Sequence, residues 1–173
     1  MLIGLPASGK TTLAGKIVRR YPAANWAILS TDTYIEMEAA RLGLSYNAAF
    51  PDAINAATQD MKAVRATALS TRRNIVHDQT NLTTKSRARK LADIPSDYVK
   101  VGLLCDVSQL ERQNRLASRP GKAIPTDVDA KMRYYGANAK LFGVLFPFRI
   151  PIFIANLPCR PRFRGTELRR RGE

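Results

Sequence analysis

The run Gly4-Leu5-Pro6-Ala7-Ser8-Gly9-Lys10-Thr11 meets every fixed position of the pattern G-x-x-x-x-G-K-[ST]. Those residue types suit a phosphate chain. Gly4 and Gly9 lack a Cβ, so the backbone can bend tightly and come close to an anion. The N–H groups of such a loop form an anion nest. Lys10 brings a positive charge to the β/γ-phosphates, and the Thr11 hydroxyl is a ligand for Mg²⁺. The helix predicted to open at Thr11-Thr12 adds its N-terminal partial charge. Gly4, Pro6, Ala7, Ser8, Gly9, Lys10, Thr11 and Thr12 are therefore the expected contacts to ATP, with Mg²⁺ as its companion.

Three further clusters could work with this loop. Asp32 follows the apolar run Trp26–Ser30. A carboxylate there can take the proton of an attacking hydroxyl or help hold Mg²⁺. Its competing role is a helix N-cap. Asp78-Gln79-Thr80-Asn81 follows a second apolar run. Asp78 could reach Mg²⁺ through water or orient an arginine, while Thr80 and Asn81 could bind nucleotide or tie down the loop. Arg112, Arg115 and Arg119 precede Pro120-Gly121-Lys122. Arg115 and Arg119 are four apart and share a face if the helix continues that far. An arginine on a transferring phosphoryl group stabilises its charge, and the Pro-Gly break favours a lid. The competing role is a solvated helix face.

These groups need a frame, and the hydrophobic pattern supplies one. Met1-Leu2-Ile3 reads as the end of a first strand, and so short a strand leaves room for further N-terminal sequence. Helix is predicted over Lys10–Arg20, ended by Tyr21-Pro22. A strand over Trp26–Ser30 leads to a helix running through Ala39 to Leu42 and stopped by Gly43. Asn47 to Pro51 reads as a break. Ile54, Ala57, Met61, Val64 and Ala68 then recur in steps of three and four, predicting a long helix from Asp52 to about Thr71. Asn74–His77 is a strand, 85–91 a basic helix, and Tyr98–Cys105 a strand ending at Asp106. Helix follows over 107–116, a loop over 117–125, and helix over 127–137 with Asp127 as its cap. Ile150–Ile154 is a last strand. Alternating strands and helices predict an α/β fold: a P-loop NTPase-type parallel sheet with helices on both faces and an Arg-bearing lid. Catalytic groups gather at the carboxyl ends of such strands, where Gly4, Asp32, Asp78 and Asp106 all fall.

The 173 residues suit one domain, expected over 1–155, with a basic tail over 156–173. The formal net charge is +14, and residues 149–173 carry seven Arg against two Glu, leaving +9 on the rest. A basic body favours anionic partners: nucleotide and nucleic acid. No apolar run reaches a membrane span, and a chain opening inside a strand leaves no place for a signal peptide. Cys105 and Cys159 lack a zinc or disulfide spacing. Cys105 reads as a buried small hydrophobe, and a reducing cytoplasm is the expected location. His77, the one histidine, is expected to pack at the sheet end without a chemical role. No Asn-Lys-x-Asp guanine-reading motif is present, and no apolar run ends in the Asp-Glu pair of a motor ATPase.

Three blocks of the chain resemble the 5′-kinase domain of phage polynucleotide kinases and the kinase half of animal polynucleotide kinase–phosphatases. They are residues 4–11, Asp78-Gln79-Thr80-Asn81-Leu82, and Arg115-Leu116-Ala117-Ser118-Arg119-Pro120-Gly121-Lys122-Ala123-Ile124-Pro125 with Asp127-Val128. The third is the most specific, and the similarity spans about residues 1–135. The resemblance implies in-line transfer of the ATP γ-phosphate to a 5′-hydroxyl end of DNA or RNA. It implies Lys10 and Thr11 on phosphate and Mg²⁺, Asp32 as general base, and Arg115 and Arg119 as lid arginines on the ATP phosphates.

The chain departs from that pattern in three places. Phage enzymes carry an arginine three residues after the base, to hold the substrate's 3′-phosphate. Ile35 stands there in this chain. The acid of the third-strand block sits one place earlier than in the phage version, although Asp78 suits the animal one. No Asp-x-Asp-Gly-Thr phosphatase signature follows. Two other readings share the same features. One is a small-molecule or nucleotide kinase of the same superfamily, toxin-like phosphotransferases included, to which Ile35 gives weight. The other is a non-catalytic, ATP-binding RNA-binding module. The P-loop domain of heterogeneous nuclear ribonucleoprotein U resembles this chain in residues 4–12 and 78–81. An intact Asp32 and the arginine pair favour an enzyme.

Overall fold

The computed structural model describes residues 1–119, 121–141 and 152–156. Among these residues five strands, β1 (Leu2–Ile3), β2 (Trp26–Leu29), β3 (Asn74–His77), β4 (Gly102–Asp106) and β5 (Ile152–Asn156), are interleaved with six α-helices. These are α1 (Lys10–Arg20), α2 (Thr31–Leu42), α3 (Tyr46–Ser70), α4 (Thr84–Leu91), α5 (Gln109–Ala117) and α6 (Thr126–Leu141). Every strand pairing is parallel: β1 with β4, β4 with β5, and β2 with β3. Between β1 and β3 the ladder is replaced by two bonds at the carboxyl end. The Gly4 N–H donates to Thr80 O at 3.0 Å, and Asn81 Nδ2 donates to Leu2 O at 2.7 Å.

Leu2 and Ile3 show how both sheet faces are covered. Consecutive strand residues point to opposite faces. Leu2 packs with Ala14 and Val76, bordered by Leu13 and Ile17 of α1. Ile3 packs with Leu91, Ile94 and Leu104, bordered by Leu69 of α3. Burying each such side chain contributes roughly 1.5–3 kcal/mol. A third cluster, Ile35 with Ala53 and Ala57, joins α2 to α3. The expected parallel α/β architecture is the one observed.

The boundaries differ in instructive ways. The predicted break at 47–51 does not occur. Helix α3 begins at Tyr46, capped by Ser45 Oγ accepting from Ala48 N–H at 3.2 Å, and runs straight through Pro51. Proline there removes a single donor near the helix start. The close packing of Ala49, Ala53 and Ala57, all buried at four-residue spacing, outweighs that loss. Helix α2 starts at Thr31 because Ser30 leaves the strand to cap it, accepting from Thr33 N–H at 3.3 Å. Strand β4 begins at Gly102 rather than Tyr98, in register with Leu2 and Ile3 of its short neighbour. Asp127 lies inside the first turn of α6, which opens at Thr126, and so is not its cap. Strand β5 runs to Asn156. Pro120, Pro151, the Phe146-Pro147-Phe148 run, Cys159 and the basic segment from 157 lie outside the described residues. No helix among the described residues is long and apolar enough to cross a membrane.

Candidate active site

The loop after β1 has the shape that its glycines allow. Gly4 sits at φ 157°, and a Cβ there would lie 2.5 Å from Cys105 O and 2.6 Å from Ser8 Oγ. Only glycine fits between the loop and β4. Ala7 and Gly9 take positive φ, 63° and 90°, and Gly9 precedes α1 with no side-chain cap on its first turn. The first-turn N–H groups, including those of Thr11 and Thr12, are therefore left to an external anion. Ser8 Oγ is buried with no hydrogen-bond partner.

Lys10 folds back over the loop. Its Nζ donates to Gly4 O at 3.1 Å and Leu5 O at 2.7 Å, and the side chain is buried. Burial pulls its ammonium down to about 8, opposed by the charges of Asp78, Cys105 and Asp32, with Arg119 pushing the same way as burial. The structure thus brings Lys10, Asp32, Asp78 and Arg119 into one electrostatic neighbourhood. Burial pushes the Asp78 carboxyl up, against a hydrogen bond from the Thr11 side chain and the charge of Lys10. Its Oδ2 is buried and unpartnered. A half-satisfied carboxylate beside the Thr11 hydroxyl fits a hard divalent cation such as Mg²⁺. Among the described residues no group of three or more His, Cys, Asp or Glu could hold a metal ion, so the remaining ligands there would be phosphate oxygens and water.

Asp32 lies in the first turn of α2, and the capping role belongs to Ser30. Its side chain is 56% exposed. Tyr46 Oη donates to its Oδ1 at 3.0 Å, and Lys122 Nζ donates to its Oδ2 at 2.9 Å. Lys122 also donates to Glu36 Oε1 at 2.6 Å and lies 4.1 Å from the centre of the Tyr46 ring. Tyr46 and Glu36 carry no signal in the sequence, and Lys122 figures there only as part of the Pro-Gly break, without a role toward Asp32. Tyr46 is 14 residues from Asp32 in sequence, and only the α2–α3 hairpin brings the two together.

The three arginines separate into two kinds. Arg112 is buried, ion-paired with Asp129 of α6, and donates through Nε to Pro6 O at 3.2 Å. Arg115 donates to Glu111 Oε1 at 2.7 Å and to Ala7 O at 3.3 Å. Both hold the back of the loop. Arg119 is exposed, just past the end of α5, and within electrostatic reach of Lys10. Arg112 and Arg115 share the face of α5 that meets the loop, whereas the helix ends at Ala117, so Arg119 is placed by the turn that follows and not by the helical spacing.

The polar cluster after β3 is mostly structural. Besides its bond to Leu2 O, Asn81 accepts from Lys90 Nζ at 2.5 Å and takes a positive φ of 49°. Arg87, one of the basic residues that follow, is buried and donates to Asn81 O and Leu82 O. His77 is buried at the end of β3. Burial first, then the chain's terminal ammonium, pulls its imidazole down to about 3, so it is neutral. Burial likewise pushes the Cys105 thiol up to about 11. Strand β4 ends in Asp106 followed by Val107, not in an acidic pair.

One solved structure similar to this chain is a Chloroflexus aurantiacus protein, provisionally described as a kinase. It matches with a TM-score of 0.61 at 20% identity, over 90% of this chain and 85% of that one. At that identity the likeness concerns the fold. Residues 1–134 match the family model described as an AAA domain. That span holds the phosphate loop, Asp32, Asp78 and the arginines of α5, and with it this chain belongs to the AAA domain family, built on a P-loop, kinase-like α/β fold.

Proposed function

We propose that the protein is an ATP-dependent phosphotransferase that moves the γ-phosphoryl group to a hydroxyl, the 5′-hydroxyl end of DNA or RNA being the acceptor that the sequence blocks favour. The observation that carries the reading is the position of Asp32: an exposed carboxylate beside the neighbourhood of Lys10 and Asp78, where an acceptor can approach. The acceptor oxygen forms a bond to the γ-phosphorus, the bond from that phosphorus to the β–γ bridging oxygen breaks, and ADP leaves. Asp32 takes the hydroxyl proton. Lys10, the loop N–H groups and Arg119 balance charge on the phosphates. Thr11 and Asp78 would hold Mg²⁺, which when bound neutralises the phosphate oxygens. Arg115 orders Ala7 and so the loop.

A second reading, a small hydroxyl acceptor, is favoured by Ile35. That side chain is fully buried between α2 and α3 and offers nothing to a substrate phosphate. The deciding assay is transfer of labelled γ-phosphate to a 5′-hydroxyl oligonucleotide, beside mononucleotides and small alcohols. Asp32→Asn is expected to lose at least 100-fold in turnover with ATP affinity changed less than threefold. Undiminished turnover would remove Asp32 as the base. Label on small acceptors alone would select the second reading.

A further inference from the structure

The segment 121–123, between α5 and α6, is fastened to the start of α3 at several points. Asn47 N–H donates to Gly121 O at 2.9 Å, and Asn47 Nδ2 donates to Ala123 O at 3.0 Å. Gly121 takes φ 77°, and a Cβ there would meet Ser45 Cβ at 2.7 Å, so backbone and helix cap are in direct contact. From the same turn Lys122 reaches Asp32, Glu36 and the Tyr46 ring. Its N–H also donates to Arg119 O at 3.3 Å. That backbone bond ties Lys122, which contacts Asp32 and Glu36, to Arg119, whose charge acts on Lys10.

We propose that Lys122 is a positioning residue, a latch that ties the lid to the carboxylates of Asp32 and Glu36 and thereby sets where Arg119 stands over the phosphate loop. This rests on the reading that Arg119 serves the nucleotide. The latch uses side chains of opposite charge, with only the lysine end well covered: Asp32 and Glu36 are 56% and 55% exposed. Such a contact is reversible. An exposed ion pair and a cation over an aromatic ring are each weak, worth about fivefold or less in an equilibrium. The backbone bonds to Asn47 give the closed turn a defined seat. An acceptor hydroxyl arriving at Asp32 meets Lys122 there, so the acceptor side and Arg119 are mechanically coupled.

The test uses Glu36→Gln, which removes one anchor and leaves Asp32, Lys10 and Arg119 intact. Trypsin cleaves after Lys122 and not at the Arg119–Pro120 bond, so cleavage of Lys122–Ala123 reports latch opening without any substrate. In the full chain, Glu36→Gln is expected to raise that cleavage rate threefold or more. It should also weaken binding of a fluorescent ATP analogue by about two- to fivefold. In an Arg119→Ala background the same substitution should leave analogue affinity unchanged. Lys122→Met should weaken the analogue like Glu36→Gln, and Lys122→Arg should restore it. Unchanged cleavage in Glu36→Gln would overturn the latch. An affinity loss equal with and without Arg119 would overturn the coupling. Failure of the wild type to bind the analogue would remove the nucleotide reading and the coupling with it, while cleavage would still decide whether the latch exists.

Discussion

Ile35 is sealed against Ala57 in the α2–α3 interface, with neither side chain reaching solvent. This position follows Asp32 by three residues, so Asp32 and Ile35 lie almost one above the other on α2. Tyr46 sits at the edge of the same contact and turns its hydroxyl to Asp32. The floor that positions the candidate base is thus an apolar helix–helix seam, with no charge in it to read an acceptor.

The first prediction follows from that seam. Ile35→Arg would place a guanidinium where Ala53 and Ala57 leave no polar partner. We expect a loss of about 3–5 kcal/mol in urea unfolding, the range for an uncompensated buried charge. Oligonucleotide affinity should not improve. A stable variant with tighter oligonucleotide binding would mean that α2 can turn this position outward.

Lys10 gives a pH signature. Burial holds its ammonium down to about 8 in the free protein. Phosphate needs the charged form, so above pH 8 ATP binding must take up a proton. Affinity should fall as pH rises through 8, by up to tenfold per unit, and level off below it. Stability runs the other way. Between about 8 and the ordinary lysine value, the unfolded chain binds the extra proton, so this group makes unfolding costlier as pH rises. Calorimetry at pH 9 in two buffers of different ionisation enthalpy measures the proton count directly. A count of zero would place the lysine outside the phosphate contact.

Arg112 and Arg119 should part company on mutation. Arg112→Ala removes a buried guanidinium from Asp129, whose side chain is 20% exposed and retains Arg133 at 3.2 Å. That remaining partner puts the expected loss at about 2–3 kcal/mol, at or below the low end for a broken buried pair. Arg119→Ala touches an exposed side chain and should change stability by under about 0.5 kcal/mol, while weakening ATP binding. Urea unfolding beside nucleotide titration separates the two. Equal stability losses would contradict the assignment of Arg112 to the scaffold.

Much of this was legible in the residue order because it rests on local chemistry. The phosphate loop is a contiguous motif whose glycines are demanded by backbone angle and contact. The strand ends that carry Gly4, Asp32, Asp78 and Asp106 follow from apolar runs broken by acids. The parallel α/β order follows from their alternation. The start of helix α3 is not legible in the sequence because Pro51 is a strong local break signal, and only the buried alanine face shows what overrides it.

The tertiary structure decided the rest. Which of Arg112, Arg115 and Arg119 is spent on the scaffold depends on where α5 ends against the loop, which spacing does not encode. In the sequence the polar residues after β3 suit nucleotide and scaffold equally, and the short β1 makes Asn81 a tie between strands. Lys122 and Tyr46 reach Asp32 across gaps of 90 and 14 residues. No periodicity joins positions that far apart. The hairpin of α2 and α3 and the seat of the lid on Asn47 bring them together, because side-chain electrostatics act over a few ångströms of space and not along the chain.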